Sequence, residues 1–187
     1  MKIKRVVRLF ALLFATVGLW SCDSLLGEEE SGSGLSSLTK DVEFVATSAV
    51  AQHHPDSSVN NEPRENFLLE FVGAEQAGVC DVLILDLLAP DGADSLVGEY
   101  VVGYEGDFVA LLRYDSKDPN TGLLYSGGSL YAEAKNGYLT DYFGYLTKGT
   151  ITIQQLEDGT YNVAVDAKSV YHTIKMTYKG KIELRVF

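Results

Sequence analysis

From Lys40 onward, apolar and polar residues alternate in short runs punctuated by turn residues, and the runs are rich in β-branched and aromatic side chains. A period of two sends successive side chains to opposite faces of a strand, so the pattern predicts antiparallel sheet and no amphipathic helix of useful length. The predicted strands cover 41–51, 66–73, 79–88, 98–105, 107–114, 129–135, 138–146, 149–156, 160–166, 169–179 and 181–187, with some neighbours expected to merge.

The alternation is sharp enough in places to assign faces and register. Val170, His172, Ile174, Met176 and Tyr178 share one face, and Tyr171, Thr173, Lys175, Thr177 and Lys179 share the other, so one side is core and the other water. Val79 to Leu88 is apolar on both faces except for Asp81 on one and Asp86 on the other, which predicts a central strand covered on both sides. A two-residue turn at Asn136-Gly137 would set Ala134 opposite Leu139, Ala132 opposite Asp141 and Leu130 opposite Phe143, with Glu133 facing Thr140. At Glu157-Asp158-Gly159 a three-residue turn with Gly159 left-handed pairs Ile153 with Val163, Ile151 with Val165 and Gln154 with Asn162. A two-residue turn there would instead pair Ile151 with Asp166, so the longer loop with a bulge is predicted.

The N-terminal segment has a different pattern. A basic start, with Lys2, Lys4, Arg5 and Arg8, runs into an uncharged apolar stretch from Leu9 to Trp20. That stretch spans about 18 Å as a helix, short of the roughly 20 residues that a bilayer core requires, so it reads as a cleaved signal peptide rather than a permanent span. It ends in Leu19-Trp20-Ser21-Cys22, which resembles the lipobox of bacterial lipoproteins, with an aliphatic residue three before the cysteine and a small one just before it. Trp20 is bulkier than usual at its position. The resemblance implies cleavage after Ser21 and a thioether-linked diacylglyceryl group on Cys22, whose several acyl chains give lasting attachment where one would not. An ordinary secretory signal with an incidental cysteine is the plainer alternative.

Residues 1–21 are thus expected to be the signal peptide, 22–39 a lipidated cysteine and flexible stalk, and 40–187 a single all-β domain. The stalk is Gly, Ser and acid, with no aromatics and no sustained period, and as a coil of 17 residues after Cys22 it spans roughly 20 to 25 Å. Glu28-Glu29-Glu30 resembles the acidic surface-export signal of Bacteroidetes-type lipoproteins, although the triplet lies later than usual. A surface-exposed and a periplasm-facing position on the outer membrane both stay open.

Charge and cysteine content narrow the functions. The formal charge is −11, and losing the four basic residues of the signal takes it to −15. With the remaining Lys and Arg scattered among 26 acids, no basic stripe for phosphates exists and nucleic acid is not an expected partner. Cys80 is the cysteine left once Cys22 is lipidated, so no intramolecular disulfide is expected and stability must come from the core.

Leu85-Asp86-Leu87-Leu88, Gly98-Glu99-Tyr100, Gly149-Thr150-Ile151-Thr152-Ile153 and Asp158-Gly159-Thr160-Tyr161, taken with the lipobox, resemble Bacteroidetes-type lipoproteins with a lipocalin-like, or calycin-like, β-barrel. The resemblance implies one antiparallel barrel of about eight to ten strands, with a two-sheet β-sandwich as the alternative. It carries over no functional residues.

Candidate chemistry is sparse. His53, His54 and Asp56 put zinc-type ligands into an expected loop, but adjacent side chains diverge and a third ligand would have to come from elsewhere. Asp115 and Asp118 belong to an oxygen-rich segment that could suit calcium, although its spacing does not match the twelve-residue calcium loop. His172, inside an apolar face, reads first as a hydrogen-bonded core histidine; pairing with Asp81 or Asp86 would make it of interest. No serine occupies a nucleophile elbow and Cys80 lies in an apolar strand, so no enzyme activity, catalytic residue, resident metal or cofactor is expected.

All eleven tyrosines fall between Tyr100 and Tyr178. Tyr131, Tyr142 and Tyr171 are candidates for an exposed aromatic platform on which a glycan or peptide stacks, with His172 beside them; read plainly, tyrosine suits half-buried strands. Two functions remain open: a non-catalytic binding module for a small ligand or glycan, and a structural or adhesive envelope protein that acts through protein contacts. An empty apolar cavity would favour the first. A filled interior beside an unpaired, exposed edge strand would favour the second.

Overall fold

The structure, a computed structural model, describes residues 40–59, 62–117 and 124–186, with the side chains of 56–59, 116–117, 124–125 and 140–143 excepted. Residues 1–39, expected to be signal peptide, lipobox and stalk, lie outside them. The chain is all β: β1 (Lys40–Val59), β2 (Glu62–Gly73), β3 (Val79–Pro90), β4 (Gly98–Gly103), β5 (Val109–Leu111), β6 (Tyr114–Lys117), β7 (Leu124–Gly127), β8 (Leu130–Lys135), β9 (Tyr138–Gln155), β10 (Tyr161–Ser169), β11 (His172–Gly180) and β12 (Glu183–Val186).

Among the described residues, eight strands close a barrel in the order β10-β11-β1-β2-β3-β5-β4-β9, with β9 pairing back onto β10. The sandwich alternative is thereby excluded. The expected all-antiparallel pairing holds except at β1–β11, β1–β12 and β4–β5, which are parallel. Parity explains it. β8 bridges β3 and β9 where β4 and β5 do not reach, so an up-and-down path of seven strands also closes there, and an odd number brings first and last together in parallel. Replacing β8 by the β5–β4 pair adds one strand and a second parallel contact.

The barrel interior is solid. Phe67, Leu69 and Phe71 from β2, Leu83, Leu85 and Leu87 from β3, Tyr100, Tyr131 and Ile151 expose no surface at all, and they belong to one contiguous core. A void large enough for water beside them would leave accessible surface on its lining, so no ligand-sized space adjoins these side chains.

β3 is covered on both faces as its composition predicts: Leu83, Leu85, Leu87 and Ala89 enter the interior, while Val82 and Ile84 join an outer cluster with Ala134, Leu68, Cys80, Leu130 and Leu139. Leu88 packs with Val109, Leu111 and Tyr114. β6 and β7 form a separate two-stranded ribbon where the sequence suggested an oxygen-rich turn.

The predicted registers fare differently at the two hairpins. Val163 pairs Ile153, Val165 pairs Ile151 and Asn162 pairs Gln154, with Gly159 at φ 76°, as expected for the three-residue loop. Gly159 N–H donates to Leu156 O at 2.9 Å and Asp158 Oδ1 accepts from Thr160 N–H at 2.9 Å, which fixes the turn. At Asn136-Gly137 the turn and the Ala134–Leu139 pair are as predicted, both turn residues having positive φ. Beyond it a bulge shifts the register, so Ala132 faces Phe143 rather than Asp141 and Leu130 faces Tyr145 rather than Phe143. An insertion of two residues keeps the alternation in phase, so the sequence pattern does not reveal it. The strands expected at 138–146 and 149–156 are one, β9, passing through Gly149, where φ is 144° and a Cβ would come within 2.5 Å of Ala167 Cα.

Candidate functional site

β1, β3 and β11 begin at the same barrel end, and each carries a polar residue on its inward face there. Lys40 lies beside His172, and Asp81 is opposite Glu133 of β8. Tyr131, the next inward residue on β8, is fully buried and donates its hydroxyl to Asp81 Oδ1 at 2.7 Å. The His172 ring lies against that of Tyr131 with centroids 4.9 Å apart. Ser169 Oγ accepts from the backbone N–H groups of Tyr171 and His172, at 3.2 and 3.0 Å, leaving its own O–H to donate to His172 Nδ1 at 3.4 Å. Lys40 Nζ reaches Glu133 Oε1 at 3.4 Å. His172 and Asp81 therefore do meet, through Tyr131.

The electrostatics of this cluster favour packing over proton transfer. Burial, then the neighbouring Lys40 charge, pushes His172 below its ordinary value against the opposing pull of Glu133, so the imidazole is neutral at pH 7. Burial and the hydrogen bond to Asp81 hold the Tyr131 phenol far above its usual range. A phenol held protonated donates a hydrogen bond; it does not act as a nucleophile or base. The core-histidine reading of His172 fits its surroundings. Tyr131 is not part of an exposed platform, because it lies opposite Leu83 on the inward face of β8. Tyr171, by contrast, is 61 % exposed in the turn before β11, and Val170, expected on the core face, turns out to solvent beside it. The Tyr142 side chain lies outside the described residues.

Asp86 occupies the opposite face of β3 from Asp81 and so points away from the interior side on which His172 lies. Its carboxylate accepts from Asn66 Nδ2 at 2.7 Å, the Tyr114 hydroxyl at 3.2 Å and the Gly128 N–H at 3.2 Å. Burial pushes its pKa up, opposed by these three donors and by His54. Tyr114 and Gly128 flank the β6–β7 ribbon, so Asp86 clamps the ribbon to the barrel wall.

The other barrel end carries a second polar pair. His53, in β1, donates from Nε2 to Glu65 Oε2 at 2.6 Å and stacks on Phe67 with centroids 4.4 Å apart, while Glu65 Oε1 accepts from Gly92 N–H at 3.2 Å. The expected loop is strand here, and the alternation of a strand separates His53 from His54. His53 thus serves a carboxylate pair rather than a zinc site; the Asp56 side chain lies outside the described residues. Asp115 pairs with Ser126 across the ribbon, and the Ser126 hydroxyl holds its carboxyl below the usual range. Asp118 lies outside the described residues. Among the described residues no three His, Cys, Asp or Glu side chains converge as a metal site.

Two features escaped the sequence reading. Glu70, flanked by Leu69 and Phe71, points out of the barrel wall yet is only 3 % exposed, and burial pushes its carboxyl up to about 7. An acid inside an apolar run was the available signal. An open groove of about 200 Å³ on the outer wall is lined by Glu62, Arg64, Leu88, Tyr104, Glu105, Gly106 and Val109. These residues come from three distant segments, which no local pattern joins. Burial and nearby acids raise the Cys80 thiol, in keeping with an inert side chain. No known family model, curated protein or solved structure matches this chain.

Proposed function

We propose that this chain is an outer-membrane lipoprotein, tethered through a lipid on Cys22, whose barrel is a non-catalytic scaffold acting through its outer surface in contact with other envelope proteins. The observation that supports this reading is the filled interior: side chains from β2, β3, β4, β8 and β9 occupy the space in which a barrel would hold an apolar ligand. The polar ends point the same way, since Asp81–Tyr131–His172 and His53–Glu65 spend their hydrogen bonds internally.

The address and the role are separately testable. Labelled palmitate is expected on the wild-type chain and not on Cys22→Ala, and protease shaving of intact cells distinguishes the surface from the periplasmic face. For the role, photo-crosslinkers on the outer wall of the full chain in living cells are expected to capture envelope proteins. Saturable lipid binding by the purified chain, with no protein crosslinks from any outer position, would overturn the scaffold reading.

One observation favours a small ligand or glycan as a second reading. In the outer groove the Tyr104 ring is 53 % exposed beside Arg64, Glu62 and Glu105, a flat apolar face next to hydrogen-bonding groups of both kinds. Glycan-array binding that disappears in Tyr104→Ala would move the function there.

A further inference from the structure

β12 continues the line of β11 along β1. Val45 pairs Thr177 and Val50 pairs Glu183, so both strands run parallel to β1, one after the other. Along β11 the far edge is covered by β10, but β10 begins only at Tyr161, opposite Gly180, directly after the 156–160 turn. Among the described residues nothing pairs with the far edge of β12. An exposed edge of this kind offers unpaired N–H and C=O groups to another strand.

The sequence of this edge is complementary to itself. It reads Glu183-Leu184-Arg185-Val186, with Ile182 before it. In an antiparallel pair of two copies centred on Leu184, each Glu183 stands opposite the other copy's Arg185, each Leu184 meets its counterpart, and each Val186 falls beside Ile182. Charged residues then share one face of the joined sheet and apolar residues the other. A shift by one residue would break both ion pairs and both apolar matches. Leu184 is 38 % and Val186 67 % exposed, so these two stand open in the single chain, while Ile182 packs partly against the barrel core. Arg185 Nε and Nη2 meanwhile bond Glu183 Oε1 of the same strand at 3.1 and 3.0 Å, and pairing would exchange those partners for equivalent ones.

We propose that a second copy of this chain docks on β12, forming a two-fold dimer through antiparallel pairing of residues 182–186. The proposal rests on the scaffold reading above and names one protein that the outer surface meets. Mismatched charge should oppose the dimer and matched charge restore it. In equilibrium sedimentation of the full chain in detergent, wild type is expected to dimerise reversibly. Glu183→Arg and Arg185→Glu, each alone, put like charges opposite one another and are expected to weaken dimerisation by roughly ten-fold or more. Mixing these two variants supplies one strand with two arginines and another with two glutamates, and heterodimers are expected to form at about wild-type affinity. Repair of an ion pair within one strand cannot explain that recovery. At concentrations low enough that every protein is monomeric, thermal melting of each variant close to wild type would show that neither reversal disrupts the fold. A monomeric wild type at high concentration, or a dimer indifferent to either reversal and to mixing, would overturn the proposal. Crosslinks to other envelope proteins from a monomeric chain would sink the dimer alone, and their absence from a dimeric chain the broader reading alone.

Discussion

The two faces of β3 are built from one run of residues, Val79–Pro90, and are buried by different means. On the inner face Leu83, Leu85 and Leu87 are fully buried members of the one contiguous interior core. On the outer face Val82, Ile84 and Leu88 are covered locally, by β8 and by the β6–β7 ribbon, with Asp86 tying the ribbon down. The inner face is held by closure of the whole sheet. The outer face depends on an appendage hung from one carboxylate, with a second buried acid, Glu70, on the adjacent strand. Dispersion and the hydrophobic effect need only neighbours of the right shape, whereas a buried carboxylate must recover its lost hydration from specific donors.

The comparison predicts unequal responses to substitution. Leu85→Ala on the inner face should cost about 4 kcal/mol, since the closed ring cannot collapse around the missing atoms; denaturant unfolding measures it, and a cost below about 1 kcal/mol would mean that the interior is loosely packed.

Glu70→Gln should act in the opposite direction. Burial raises the Glu70 carboxyl from 4.5 to about 7, so between these values the folded protein keeps a proton that the unfolded chain has lost. Stability should therefore fall as pH rises from about 5 to 8, by up to about 3 kcal/mol, and the glutamine variant should flatten that slope and be the more stable at pH 8. A parallel pH dependence in both proteins would show that Glu70 is solvated.

Asp86→Ala should cost about 2 kcal/mol, the loss of three hydrogen bonds being partly offset because a desolvated charge goes with them. Its signature is local: hydrogen exchange should quicken in 114–117 and 124–128 well before it does in β3. Uniform acceleration across both faces would mean that ribbon and barrel unfold as one unit.

The sequence was most legible where one local rule sufficed. The 156–160 turn and its register followed from the choice between Val165 and Asp166 as the partner of Ile151, and the double burial of β3 followed from apolar residues at odd and even positions alike. The shift between Ala132 and Ala134 was not legible, because two extra residues preserve the alternation of faces, so the hydropathy pattern does not record them. The ribbon was also missed. Tyr114–Lys117 and Leu124–Gly127 are short and polar, and their reason to pair lies in Asp86, more than twenty residues away.

For the candidate residues the division is similar. Alternation alone put His172 on the core face, whereas His53 and His54, expected in a loop, are separated by a strand that only the structure revealed. Which groups they would meet was settled by closure. Lys40 and His172, Asp81 and Tyr131, and His53 and Glu65 become neighbours through strand pairings that span between 12 and 132 residues of chain. By itself the sequence determined which side chains alternate, where the chain turns and that the domain is β throughout, because these depend on residues a few positions apart. Only the tertiary structure decided that the barrel is full, that Asp86 and Tyr131 are committed to internal bonds, and that the edge of β12 is left open where β10 turns away.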